Sequence, residues 1–438
     1  METQLGKTSK LNLIYFMISY FISNLASGVM YDTYVNYMHE VARPIATSFW
    51  SFYGYATFIS AAFMLLIPKI GYKPLLILCN FSNIIAFVIV SFTTNTMILG
   101  FSTLISLTGL QLHLGILAPF ISVNTDRLED GGIKWFTRSY YIGYIGYFLA
   151  TYLGGVAVVA VFSKLMNLHF GQAQELTRYM EKLSGDAYIQ FLNSNRYVML
   201  ALALISALGI IPILLMQEVN EQRSENEKES WTNKFRQSLK VLGNKDARIY
   251  LVYWSLISFA MGLFASYYTV YLNRNLHIDK ATSSLVVSIS YMAIVVFMLF
   301  TPVVVKKLGP VNTIAAAVIF SVPFMMVIGF GDRFGRYVVP VVGVALFIRA
   351  GLANLSSPAE SSLSMSLVPK ELRPAYAAVI NFVAGIISII SGEFTGRVLF
   401  ITQEGYRYAY YIASVIYIAA GLVVFIGLRK HNRENNNE

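Results

Sequence analysis

Long apolar runs alternate with short polar breaks along the whole chain. A helix needs about 20 mostly apolar residues to cross a bilayer, and runs of that kind fall near 12–37, 46–67, 75–93, 98–122, 136–162 and 197–216. A polar stretch, 217–248, follows, and six more runs lie near 249–272, 282–305, 310–329, 337–367, 375–396 and 407–428. The pattern predicts an all-α polytopic membrane protein with twelve transmembrane helices, six on each side of a charged middle. It divides the chain into a first six-helix bundle (1–216), a linker (217–248), a second bundle (249–428) and a tail (429–438). Within the first bundle, 163–196 reads as a long extracellular loop with a helix-like stretch around Glu175–Leu183.

Composition narrows the class. The 438 residues are 56% hydrophobic and only 13% charged, against roughly 25% charged in a soluble domain. Thirteen of the fifty-six Asp, Glu, Lys and Arg fall in 217–248, too few remaining elsewhere to coat a soluble surface. The net charge of +10 is therefore an orientation signal rather than a nucleic-acid footprint, because Lys and Arg collect on cytoplasmic loops. With the N-terminus inside, the inner segments hold 21 Lys and Arg and the outer ones 11. Both termini and the middle linker are expected in the cytoplasm of a cell (plasma) membrane protein, and frequent Asn, Ile and Lys point to a bacterial source. Lys7 and Lys10 before an apolar stretch resemble a signal peptide. The stretch is too long for one and lacks an Ala-x-Ala-like exit, so it reads as the first span. The single cysteine, Cys79, excludes an internal disulfide.

An internal repeat underlies the layout. At an offset of 235, Ile14-Tyr15 falls on Ile249-Tyr250 and Ile22-Ser23 on Ile257-Ser258. Lys69-Ile70-Gly71 matches Lys307-Leu308-Gly309 at 238, and Pro119 matches Pro358 at 239. An even number of spans per repeat gives both halves one orientation, with the repeat axis along the membrane normal. With Met64, Pro68, Lys69, Gly71, Tyr72 and Lys73 in the loop between spans two and three, and Gly146, Ala150, Thr151, Gly154 and Gly155 in span five, the chain resembles the major facilitator superfamily over nearly its whole length. The Val368-Pro369-x-x-x-Arg373 stretch is also similar to that family's. The chain departs from the family at the leading glycine of the first loop, where Met64 stands, at that loop's acid, and at the proline of span five. The resemblance, looser toward drug/proton antiporters, implies two pseudo-symmetric six-helix bundles around a central cavity. Lys69, Gly71, Lys73, Gly146, Gly154, Gly155 and Arg373 then have gating or packing roles.

Ionisable groups at membrane depth cost about 2.5–3.5 kcal/mol on insertion scales and are functional candidates by default. Asp32, Glu393 and Glu360 are the candidate proton-coupling residues. Arg349, about twelve residues into span ten, needs an anion or a wet cavity, and its expected partner is the substrate, Asp32 or Glu393. The i,i+4 spacing of Glu393 and Arg397 also lets them neutralise one another, and Glu360 could instead bind a group at the cytoplasmic end. Candidate substrate-binding residues are Arg349, Tyr31, Tyr34, Gln111, His113, Tyr144, Tyr267, Tyr268 and Asn381. Tyr37, Tyr152 and Tyr271 are expected in the interfacial belt.

These features point to a secondary transporter working by alternating access, with proton-coupled export of an amphipathic organic compound as the leading reading. A nutrient importer, a lipid translocator and a non-transporting sensor stand beside it. Neither an Asp-Asp-x-x-Asp run nor a His-Glu-x-x-His or phosphate-binding Gly-x4-Gly-Lys-Ser/Thr motif occurs, so no enzyme is expected. The expected partners are a small-molecule substrate, protons and the lipid bilayer, with no cofactor, metal or nucleic acid, in a monomer.

Overall fold

The computed structural model describes residues 4–125, 132–217, 242–369 and 372–432. No β-strand occurs among the described residues. The main helices are α1 (Gln4–Val29), α2 (Phe49–Met64), α3 (Tyr72–Phe92), α4 (Thr96–Thr125), α5 (Gly132–Leu165), α6 (Gly185–Leu208), α7 (Lys245–Phe264), α8 (Lys280–Met298), α9 (Pro310–Gly329), α10 (Val338–Leu355), α11 (Arg373–Phe394) and α12 (Gly405–Gly427). Eleven helical stretches among the described residues are long and apolar enough to cross a membrane. The second expected span is a 16-residue helix, α2, with short helices Arg43–Thr47 and Ile67–Ile70 at its two ends. Most of the expected linker, 218–241, lies outside the described residues.

The chain divides into two compact units. Unit 1 holds 1–222 and 266–288, and unit 2 holds 223–265 and 289–438. A piece of the second sequence repeat thus belongs to the first unit. In unit 1, α1 packs on α5 and α6, and α3 on α4 and α6; in unit 2, α7 packs on α11 and α12, and α9 on α10 and α12. The pairing pattern repeats six helices on.

Local chemistry explains the helix ends. The Asn244 side chain accepts from the backbone of Asp246 (2.8 Å) and Ala247 (3.3 Å), capping α7. Asn95 does the same for α4, accepting from Met97 (3.0 Å) and Ile98 (3.2 Å); such caps satisfy amides that a helix start leaves orphaned. Two glycines close the matching loops of the repeats. Gly71 (φ 79°, ψ −179°) and Gly309 (φ 81°, ψ 162°) each end a short helix and begin the next. That backbone region is open essentially to glycine alone, which accounts for Lys-x-Gly at both sites.

Small residues allow close helix approach. A side chain on Gly28 would strike Ala150 at 2.7 Å, and one on Gly146 would press on Asn24 at 3.0 Å, so α1 and α5 touch through their glycine seams. Cys79 is fully buried in the core of unit 1 among Leu75, Leu76, Leu112 and Ile116. Helix α6 begins twelve residues before the expected sixth span. Its polar first turns were legible only as loop, yet Phe191 packs with Val158, Val159, Phe162, Ala173 and Met180, so the 163–196 segment is folded onto α5 and α6. Tyr37 and Tyr271, expected at the interface, are instead fully buried in unit 1.

Candidate functional site: buried charges in each unit

In unit 1 the helix of the first span widens to a π-turn over Met30–Tyr34, a distortion that recurs at functional sites. Asp32 sits in it, 1% exposed. Its Oδ1 accepts from the Lys280 ammonium (2.7 Å) and its Oδ2 from the Ser284 hydroxyl (2.8 Å). Lys280 is itself 2% exposed. Gly155 leaves the room for Ser284: a side chain there would collide with it. The sequence placed Lys280 in an outer loop, so this partner was missed. The signal that could have found it is the rule that a buried acid requires a cation, with Lys280 at the edge of span eight.

Further polar links hold 266–288 within unit 1. Asn36 donates to Thr269 (2.7 Å), Tyr267 to the Thr47 carbonyl (3.0 Å), and Arg274 pairs with Glu40. The 163–196 segment joins them. Thr177 accepts from the Lys280 amide (3.1 Å) and, through its carbonyl, from Asn273 (2.8 Å), while Gln174 donates to Asp279 (3.0 Å).

In unit 2 a buried carboxylate, Glu360, lies in the helix Ser357–Ser366 that continues α10. Its Oε1 accepts from Tyr253 (2.8 Å) and Ser356 (2.8 Å). No Lys, Arg or His among the described residues lies within 4.0 Å of it. Glu360 lines a cavity of about 270 Å³ with Tyr250, Trp254, Ser357, Ser361, Ser364, Met365, Ile380 and Asn381. Tyr250 and Trp254 are nearly parallel, with ring centroids 6.4 Å apart, and Asn381 and Ser361 are exposed.

Arg349, 3% exposed, does not meet an acid at either expected position. Its guanidinium donates to the Tyr417 hydroxyl (2.6 Å), contacts Met261 Sδ (3.1 Å) and lies over the Phe264 ring at 4.5 Å. Asp32 is bound to Lys280, and Glu393 pairs with Arg397 at 2.6 Å, with Arg397 80% exposed. Glu393 is therefore an exposed helix-surface pair in this structure. A ring face attracts a cation by about 2 kcal/mol or more when desolvated, which is how an aromatic setting can hold Arg349.

The remaining candidates scatter. Tyr34 bonds Thr103 (2.8 Å) and is fully buried in unit 1. Tyr31 packs edge-on to Phe49 and against Tyr147, and Tyr144 lies beside Tyr147. Gln111 is in reach of Tyr53, and Tyr268 is half-buried. His113 is 1% exposed, edge-on to Phe16 and Tyr20, and neither ring nitrogen has a hydrogen-bond partner among the described residues. Lys73 donates to the Leu214 (2.8 Å) and Met216 (3.0 Å) carbonyls, capping the chain end of the sixth span, a placement a helix C-terminus favours. Lys69 is exposed, Gly154 packs on Thr33 and Val29 of the first span, and Arg373 starts α11. Of the expected site residues, Glu360 and Asn381 line one cavity together.

Internally repeated helical bundles are a common build of secondary transporters. The family model of the Major Facilitator Superfamily matches residues 133–392, and the chain belongs to that superfamily. Two structures of the nucleoside transporter NupG, one of a point mutant, are similar to it with TM-scores of 0.74 and 0.71 at 14% and 15% identity, covering 95% of this chain and 99% of that one. The E. coli fucose:proton symporter FucP is similar at TM-score 0.60 and 14% identity, over 97% of this chain and 100% of its own. A D-xylose–proton symporter is similar at 0.65 and 13%, over 95% and 96%. A search of curated proteins found no sequence match.

Proposed function

We propose that this protein is a proton-coupled secondary transporter that exports an amphipathic organic compound across the plasma membrane, with Glu360 as the group that takes up and releases the proton. The observation that carries the reading is the partner set of Glu360. Two hydroxyls hold a carboxylate by donating to it, and a protonated carboxyl can in turn donate to a hydroxyl oxygen. Glu360 can therefore change charge without leaving an orphaned group, and it does so at the wall of an open cavity. Asp32 has no such freedom: a proton arriving there has to displace the Lys280 ammonium. In this reading Asp32–Lys280 is a latch that opens and closes during alternating access. The orientation we propose has both termini and the 217–248 linker in the cytoplasm and 163–196 outside, with the two repeats rocking as a monomer.

The test is reconstitution of the full chain in proteoliposomes with an imposed proton gradient, following luminal pH and solute together. Wild type is expected to move candidate amphipathic solutes against the proton flow, and Glu360→Gln to lose the coupled proton signal. Coupled proton movement that survives Glu360→Gln overturns the assignment. Solute moving with the protons makes the protein an importer and overturns the direction.

A further inference from the structure

We infer that the Glu360 cavity binds a monovalent organic cation with a flat aromatic body, which exchanges for the proton on the same carboxylate. The inference rests on the proposed role of Glu360 and adds the class of compound. Three observations carry it. First, Glu360 is the one carboxylate among the residues lining the cavity, with no Lys, Arg or His beside it there; the wall otherwise offers hydroxyls, an amide and apolar surface. Arg349, the other buried charge described in unit 2, is not among the lining residues and is turned to Tyr417, Met261 and Phe264. Second, the wall carries the paired faces of Tyr250 and Trp254, and such faces attract cations as well as flat rings. Third, Met365 and Ile380 close the apolar side, while Asn381 and Ser361 stand exposed. An anion would meet the carboxylate unfavourably, and a neutral ring would leave it uncompensated.

The tyrosines that bond Glu360 are both on α7: Tyr253 donates to its carboxylate (2.8 Å) and Tyr250 to its backbone carbonyl (3.3 Å). Tyr417 of α12 is engaged with Arg349 and Met261. All three tyrosines are neutral, so a cation and a proton compete for the Glu360 carboxylate. Competition for one carboxylate means that loading one species requires releasing the other, which is the condition for movement in opposite directions.

Three probes that share a flat bicyclic body decide it: N-methylquinolinium, neutral quinoline and 1-naphthoate, each measured by equilibrium dialysis against the purified full chain in lipid nanodiscs. Saturable binding of N-methylquinolinium is expected, weakening as pH falls, with 1-naphthoate unbound. Glu360→Gln is expected to weaken the cation at least about tenfold, since removing one partner of a buried charge pair costs several kcal/mol. The same variant is expected to abolish the pH dependence and leave quinoline unchanged, which also reports that it is folded. Trp254→Leu is expected to weaken both ring compounds. Binding of 1-naphthoate as tight as that of the cation, or cation binding unchanged in Glu360→Gln, overturns the inference. The outcomes separate the two readings. Coupled proton flux lost in Glu360→Gln without cation binding in wild type leaves the proton role standing and removes the cation. Cation binding with proton flux intact in Glu360→Gln does the reverse.

Discussion

Asp32 in unit 1 and Glu360 in unit 2 are both buried carboxylates, and they are satisfied in opposite ways. Asp32 in unit 1 is bound by an ammonium and by the hydroxyls of Ser284 and Thr33; Glu360 in unit 2 is bound by hydroxyls alone. The first arrangement fixes a charge, because the cation's own burial makes it costly to separate. The second leaves the charge state open, because hydroxyls serve either form. A duplicated scaffold can therefore carry a clasp in one half and a titrating site in the other. Membrane depth by itself does not say which is which; the partner does.

Substitutions should break this contrast in graded fashion. The largest effect is expected for Lys280→Ala, which strands Asp32: removing one member of a buried pair costs about 3–5 kcal/mol, seen as a fall in Tm of the purified protein. Adding Asp32→Asn to that variant should recover a large part of the loss. If the single variant melts like wild type, the clasp is not structural. Gly155→Val comes next, at about 1–3 kcal/mol for an overfilled seam, because the added side chain meets both the hydroxyl and the Cβ of Ser284; Ser284→Gly in the same chain should relieve part of it. Tyr417→Phe should cost about 1.5–3 kcal/mol through the lost hydrogen bond to a charged group, and Arg349→Met in that background should cost less than it does alone. Glu360→Gln is expected to change Tm little, within about 1 kcal/mol, while removing proton coupling. Glu393→Gln on the exposed surface should be smallest, about 0.5 kcal/mol or less.

Much of the fold was legible in the sequence. Apolar runs of bilayer length and the drifting repeat offset gave twelve expected spans, and Lys69-Ile70-Gly71 with Lys307-Leu308-Gly309 marked two loops that share one glycine backbone geometry. Hydropathy failed where a helix is polar for a tertiary reason. The first turns of α6 carry Asp186, Gln190 and Asn193, and their helical packing comes from Phe191 meeting α5. The site was legible only in part. Glu360 and Asn381 were named, and the i,i+4 pairing of Glu393 with Arg397 followed from helix geometry. The partners of Asp32 and Arg349 were not. Lys280 stands 248 residues from Asp32, and aromatic faces and a thioether leave no mark in a charge pattern. The glycines of span five, read as gating or packing residues, pack on the first span and on Ser284.

The lone sulfhydryl at Cys79 has a practical consequence. Walled in by Leu75, Leu76, Leu112 and Ile116, it is out of reach of maleimides and mild oxidants, as buried thiols are. The native chain is thus a blank canvas for thiol chemistry. Cysteines introduced at Gln174 and Thr282, whose longer native side chains meet at 3.3 Å, can be bridged by a short bifunctional thiol reagent to staple the 163–196 segment to the start of α8, asking in one gel and one flux assay whether that segment has to let go.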